Sequence, residues 1–297
     1  MNDILPENIR KSIKQIRLDN TSGSLELAKK SAKILNDLVK ETDSLAQIKN
    51  TAHSLIKAQP AMASIFNLVN NLMLFMDKKQ KPKKIVQNYC KIFLQDLEIS
   101  EKSISKQATE LIKNNTTIIT HSYSSSVLST LLFAKKLGKK FSVICTESRP
   151  KNEGIILAKQ LGINGIKVKS VVDSAVFSFI SDADIILVGG DTITNTGLIN
   201  KIGTKGIAIT AQYYNIPTYA LCSTIKFVPH KYRINLDIRQ NPNEIIKNKI
   251  SNVNPINFYF DLTPIEFITG VITEKKILNS KEIKEKIKDL KIHKSLY

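Results

Sequence analysis

From Leu5 to about Asn115 the apolar residues recur at helical spacing. Over residues 24–40 the positions Leu27, Ala28, Ile34, Leu35 and Leu38 fall near a 3.6-residue period, which predicts an amphipathic helix. Further helices are expected over 61–76 and 85–97, separated by a Lys/Pro loop at 77–84 in which Pro82 interrupts the helix. After Lys113, Asn114 and Asn115 the texture changes. Short β-branched runs at 116–120, 141–145, 166–172, 184–188 and 218–222 are each followed by polar residues and then by an amphipathic stretch. Strand followed by helix, repeated, implies a parallel sheet. Ile185, Ile186, Leu187 and Val188 are apolar without alternation, as expected of a strand covered on both faces. The pattern therefore predicts an α/β protein with two parts. A helical N-terminal domain spans 1–115, and a Rossmann-like parallel-sheet domain spans 116–297.

Composition narrows the class. With 42% hydrophobic residues in 297, the chain has enough apolar material for a sizeable core and does not read as disordered. The most apolar stretch, 65–76, is broken by Asn67, Asn70 and Asn71 and is far shorter than the ~20 residues that cross a bilayer. Residues 1–17 mix acidic and basic side chains without an apolar core, so no secretory signal is read and a cytoplasmic protein is expected, with no membrane partner. Cys90, Cys145 and Cys222 are widely spaced and form no CxxC pair, which argues against a disulfide framework or a zinc site. No metal and no organic cofactor is expected. The net charge of +18 is compatible with attraction to RNA or another polyanion, and equally with a coding sequence rich in A and T, since lysine far outnumbers arginine. The densest cluster, Lys78, Lys79, Lys81, Lys83 and Lys84 around Pro82, has no interleaved aromatics and reads as a solvated loop; an RNA partner finds no further support in the sequence.

In parallel sheets ligands bind beyond the carboxyl ends of the strands. That rule singles out His121 and Ser122, the segment Thr146, Glu147 and Ser148, then Asp173, then Gly189, Gly190 and Asp191, and finally Ser223 and Thr224. Asp191 is the leading pocket residue, because two glycines before it would clear the approach of a ligand. The competing reading is that it caps a turn or helix through Thr192 and Thr194. Asn200 and Lys201 lie just before an apolar helical stretch running to Tyr214, where a phosphate could meet both charge and helix amides, or Asn200 could simply cap. Lys226 lies just past the last strand end and could also meet an anion. The run from Ser122 through Ser124 to Ser126 should open a helix, with its hydroxyls capping the chain or holding a phosphate. No GxSxG elbow surrounds Ser122, so a hydrolase triad is not read. There is no GxGxxG and no Walker A sequence, which removes the nicotinamide and nucleoside-triphosphate readings of the fold. Cys145 is expected in the core, and Glu147 and Arg149 at the crevice, a partner surface, or paired with each other.

Taken together, five segments in this order resemble one family. They are Thr120-His121-Ser122-Tyr123-Ser124, Thr146-Glu147-Ser148-Arg149-Pro150, Val172-Asp173-Ser174-Ala175, Val188-Gly189-Gly190-Asp191 and Asn200-Lys201-Ile202-Gly203-Thr204. The segments 257–264 and 268–274 look like the same family's closing signature. This is the initiation factor 2B α/β/δ-subunit family, which also contains ribose-1,5-bisphosphate isomerase and methylthioribose-1-phosphate isomerase. The resemblance implies a helical N-terminal domain, a Rossmann-like C-terminal domain and a homodimer. In the isomerases a cysteine and an aspartate share the proton work; here the aspartate is Asp191, and Ser122 stands at the cysteine's position. An alcohol is far less acidic than a thiol, whose reference pKa is about 8.5. Ser22, Gly23 and Ser24 stand where the isomerases have a phosphate-binding Arg-Gly-Ala, and Gln59-Pro60 where they have Arg-Pro. Ser22, Gly23, Ser24, Ser122, Ser124, Asn200, Lys201 and Lys226 are thus the implied ligand contacts. The resemblance implies an α-subunit-like regulatory protein of translation initiation that binds a sugar phosphate without turning it over, with initiation factor 2 subunits as partners. The alternative it leaves open is an aldose–ketose isomerase of the ribose-1,5-bisphosphate type.

Overall fold

The protein was analysed as a computed structural model, which describes residues 5–19, 21–76 and 82–296. The chain opens with helices α1 (Glu7–Leu18), α2 (Ser24–Glu41), α3 (Leu45–Ala58), α4 (Ala63–Met76) and α5 (Pro82–Glu110). The helical period in α2 is realised as a buried stripe through Leu27, Ala28, Ile34, Leu35 and Leu38. Helix α4 is buried around most of its circumference, including Asn67 and Asn70, because α2, α3 and α5 surround it and the sheet layer meets its remaining side.

Pro82 does not interrupt a helix. It begins one, as the first residue of α5, where a proline's fixed φ and missing N–H cost nothing. Lys83 and Lys84 consequently lie in a helical first turn, while Lys78, Lys79 and Lys81 of the same basic cluster lie outside the described residues. The helix expected over 85–97 also runs on to Glu110. Its first half packs Val86, Cys90, Phe93 and Leu97 into the helical core, and its second half places Ile104 and Ala108 in the core under the sheet.

Beyond Asn115 the chain forms β1 (Thr116–Thr120), α6 (Ser125–Lys136), β2 (Phe141–Thr146), α7 (Glu153–Ile163), β3 (Lys167–Val171) and β4 (Ile185–Gly189), with a 3-10 segment at Asp173–Asp182 before β4. There follow β5 (Thr192–Ile193), β6 (Gly197–Lys201), α8 (Thr204–Tyr213), β7 (Thr218–Leu221), β8 (Phe260–Pro264), β9 (Gly270–Ile272), β10 (Ile277–Leu278) and α9 (Ser280–Lys288). The main sheet has the order β10-β9-β7-β4-β1-β2-β3, parallel except for β10. Every residue of β4 is buried, as its unbroken apolar run predicts. The chain builds outward from β1 through β2 to β3 and then returns to place β4 on the other side of β1. The crevice between the carboxyl ends of β1 and β4 is thus a topological switch point, the place where such sheets bind ligands. A second, antiparallel sheet, β5-β6-β8, has no counterpart in the sequence reading. It puts Asn200 and Lys201 on a strand, not at a helix entrance; α8 begins at Thr204. No helix among the described residues is long and apolar enough to cross a membrane.

Candidate functional site

At the switch point a cavity of about 340 Å³ opens between the helical layer and the sheet. Its lining includes Asp191 and the ligand contacts implied by the resemblance, Ser22, Gly23, Ser24, Ser122, Ser124, Asn200, Lys201 and Lys226, whereas the other strand-end residues singled out from the sequence, His121, Thr146, Glu147, Ser148, Asp173, Ser223 and Thr224, are not part of it. The lining residues come from separate elements: the entrance of α2, the β1–α6 turn, the second residue after the β4 end, strand β6, and a 3-10 turn after β7.

Asp191 follows Gly190, and its amide donates to Ile199 O at 3.0 Å, fixing it against β6. Among the described residues no hydrogen bond is found from the Thr192 or Thr194 amide to the Asp191 carboxylate, the cap of the competing reading, and Thr194 N donates to Gly197 O at 2.9 Å. The Thr192 hydroxyl instead donates to Ala61 O at 2.8 Å and accepts from Ala63 N at 3.0 Å, tying the site to the start of α4. Burial pushes the Asp191 carboxyl above the usual carboxylate range, and the Lys226 and Lys201 ammoniums and the Ser24 hydroxyl pull against that. Both glycines before Asp191 line the cavity, and the protein packs tightly against them as well. A Cβ at Gly189 would lie 2.7 Å from Ser124 Oγ, and one at Gly190 would lie 2.8 Å from Leu198 Cδ1 and 3.1 Å from Cys222 Sγ. Their small size lets the protein itself close in around the β4 end.

Lys226 is buried and donates to Gly190 O at 2.7 Å. Two side chains far away in sequence hold its turn. Asn67 Nδ2 donates to Ile225 O (2.6 Å) and Phe227 O (2.7 Å), and Glu274 accepts from Thr224 N at 2.9 Å and from the Thr224 hydroxyl. Asn67, met in the sequence only as a break in an apolar stretch, is thus a clamp on a site lysine. Lys201 is also buried. It pairs with Glu153 Oε1, and its ammonium sits 5.1 Å from the Tyr259 ring centroid and 6.0 Å from that of Phe260. Tyr259 is itself held through its hydroxyl by Glu244, at 2.7 and 2.8 Å. Asn200 donates to Thr204 Oγ1 at 3.0 Å, across the start of α8.

The β1 end is unusual in its backbone. Ser122 has φ +65° and Ser148, at the β2 end, has φ +62°, a left-handed conformation that costs a non-glycine residue about 1–3 kcal/mol. The two are joined, Ser122 N donating to Ser148 Oγ at 2.7 Å. Ser148 N and Arg149 N both donate to the Asp173 carboxylate at 2.7 Å. Ser124 caps α6 by accepting from Val127 N at 3.4 Å. His121 is buried; burial holds its imidazole below its ordinary pKa and so neutral. Its Nε2 faces Ile202 O at 2.8 Å, and a carbonyl only accepts, so the ring proton is on Nε2 and Nδ1 accepts from Thr146 Oγ1 at 2.7 Å. Both ring nitrogens are therefore committed away from Ser122. Cys145 is fully buried in the core, as expected. Arg149 donates to Glu244 O at 3.0 Å rather than pairing with Glu147.

Gln59, where the resemblance places an arginine, lines the cavity, but its amide nitrogen is engaged structurally, donating to Ile16 O (2.8 Å) and Asp19 O (3.0 Å). The charge at the mouth comes from residues sequence reasoning passed over, Arg17 and Lys57, both exposed and both in the lining. Glu153 and Tyr259 were passed over as well.

Asp261, next to Phe260 of the lining, accepts from Gly203 N (2.8 Å) and Lys205 N (3.2 Å) at the start of α8. Burial nevertheless pushes its carboxyl up to about 6. A carboxyl raised on folding stabilises the fold when protonated, so this contribution is complete below pH 4 and lost as pH rises through 6. It amounts to about 3 kcal/mol at 1.36 kcal/mol per pH unit. Asp261→Asn keeps an accepting oxygen and cannot ionise. Urea midpoints of the two proteins are expected to diverge between pH 4 and 7 in favour of the variant; parallel curves would refute this.

With the geometry in hand, the chain can be set beside known proteins. The model of the initiation factor 2 subunit family, IF-2B, matches residues 17–280. The chain belongs to this family. An eIF-2B subunit 2-like translation initiation factor of Pyrococcus furiosus is 33% identical to this IF-2B chain over 279 residues, covering 93% of it and 98% of the relative. A ribose 1,5-bisphosphate isomerase of Archaeoglobus fulgidus is 32% identical over 280 residues, covering 90% and 88%. Among solved structures, that of the eIF-2B translation initiation factor of Pyrococcus horikoshii matches with a TM-score of 0.83 at 32% identity, over 92% of this chain and 98% of that one. Both branches of the IF-2B family, factor and isomerase, are thus about equally similar to this chain.

Proposed function

We propose that this chain is an α-subunit-like, non-catalytic IF-2B protein, which binds a sugar phosphate in the switch-point cavity and acts as a regulatory subunit in translation initiation in the cytoplasm. The observation that carries this reading is Ser122. An alcohol needs a base to exchange protons near neutrality. The neighbouring imidazole of His121 has both nitrogens engaged elsewhere, with Thr146 and Ile202. What remains suits binding: two buried lysines, a cavity of sugar size, and the amino end of α2 at the mouth. The protein would act as a homodimer, and Phe177, Ile209 and Tyr213, exposed on the face formed by the 3-10 segment and α8, offer apolar surface for a second copy.

Three measurements test the reading. The protein should retain an initiation factor 2 subunit in a pull-down and bind ribose 5-phosphate by calorimetry, while proton NMR should show no conversion of ribose 1,5-bisphosphate. Retention of neither ligand nor factor would overturn it. A second reading, an aldose–ketose isomerase, is favoured by Asp191, a carboxyl in the cavity lining whose pKa burial raises above the usual carboxylate range, as a proton-transferring acid requires. Conversion seen by NMR, and abolished in Asp191→Asn with binding kept, would establish that reading in place of the first.

A further inference from the structure

We propose that Glu153 is the specificity-determining residue of the cavity: its carboxylate receives the unphosphorylated, hydroxyl-bearing end of the ligand and so selects a sugar monophosphate over a bisphosphate. The proposal rests on the sugar-phosphate reading above and assigns the two ends of the ligand within it.

Glu153 is the first residue of α7, where an acid ordinarily stays in water and complements the helix dipole. Here it is only 7% exposed and belongs to the cavity lining. One carboxylate oxygen, Oε1, takes Lys201. The other, Oε2, is buried with no hydrogen-bond partner among the described residues. A buried charged acceptor left unmatched is costly, so this oxygen calls for a donor. A sugar hydroxyl donates; a phosphate dianion carries no proton to give and repels a carboxylate.

Charge along the cavity points the same way. At the floor the ammonium of Lys201 is matched by Glu153, and Lys226 has Asp191 beside it, so two cations face two carboxyls. At the exposed side of the lining are Arg17 and Lys57. The one acid there, Asp19, is already paired with Lys30 at 2.7 Å. A single phosphate is therefore attracted to the mouth, with its sugar hydroxyls directed inward. A second phosphate at the other end of the same sugar would have to displace Glu153 from Lys201.

Calorimetry on the full chain with ribose 5-phosphate, ribose 1,5-bisphosphate and inorganic phosphate tests this. The monophosphate is expected to bind at least tenfold more tightly than the bisphosphate. In Glu153→Gln, which frees Lys201, the bisphosphate should gain at least tenfold and the preference should vanish or invert. This first comparison needs no variant, so it stands even if the substitution impairs folding. Preference of the unaltered protein for the bisphosphate, or an unchanged ratio in folded Glu153→Gln, overturns the assignment of Glu153 while leaving the sugar-phosphate reading intact. Binding of none of the three overturns both.

Discussion

Gly154→Ala is expected to destabilise the protein by about 3 kcal/mol or more and to cut its soluble yield sharply. A Cβ there would lie 1.8 Å from Thr146 O and 2.9 Å from Ser148 Oγ. Neither neighbour can give way. Thr146 ends β2, a strand paired on both sides, and the next amide, Glu147 N, donates to Val171 O at 2.8 Å. Ser148 Oγ already holds Ser122 N. The methyl group can be accommodated only by moving α7 away from the sheet, and α7 carries Glu153 into the cavity. Gly162→Ala, in the same helix with nothing within 4 Å of its new methyl, provides the control. It removes backbone freedom from the unfolded chain and is expected to stabilise by about 0.5–1 kcal/mol. Urea unfolding of the two variants checks the pair, and a loss under about 1 kcal/mol at Gly154 would show that the β2–α7 contact is softer than argued.

The parallel sheet was legible because burial on both faces leaves a mark in the sequence: β4 is apolar without a break, and β1, β2 and β7 lie where β-branched runs end in polar residues. The rule that ligands sit at carboxyl ends of strands then led to Ser122, Asp191 and Lys226 without any knowledge of their distances. The second sheet left no such mark. Strand β5 has two residues, and β6 ends in Asn200 and Lys201, whose polarity reads as a loop before a helix although in the fold these side chains are buried around a cavity. Glu153 was illegible for a different reason: an acid in a helix's first turn fits the dipole rule, and the partner that changes its meaning is 48 positions away. Arg17 and Lys57 could not be picked out among 44 basic residues. Asn67 was visible as an oddity in an apolar helix, but its targets, the carbonyls flanking Lys226, exist only once α4 is docked on the turn after β7.

Lys201→Met should cost about 3–5 kcal/mol and abolish ligand binding, the largest combined loss at any position in the cavity. Methionine matches the lysine stem in length but carries no ammonium, so what is lost is electrostatic: the pair with Glu153 and the cation–π contacts with Tyr259 and Phe260. What remains is Glu153, 7% exposed, with Oε1 deprived of its cation and Oε2 already without a partner. The sign of the effect is thus set by the residue left behind, and the double variant Lys201→Met, Glu153→Gln isolates it. Removing both charges should recover most of the stability, because a buried ion pair contributes little net energy while half of one is strongly unfavourable. Binding should not return in the double variant, since the ammonium that acts on Asp191 in the cavity lining is still missing. Urea unfolding and calorimetry with ribose 5-phosphate on the two single variants and the double variant separate the roles. A double variant as unstable as Lys201→Met alone would mean that the lysine acts through its contacts with the aromatic rings and not through Glu153.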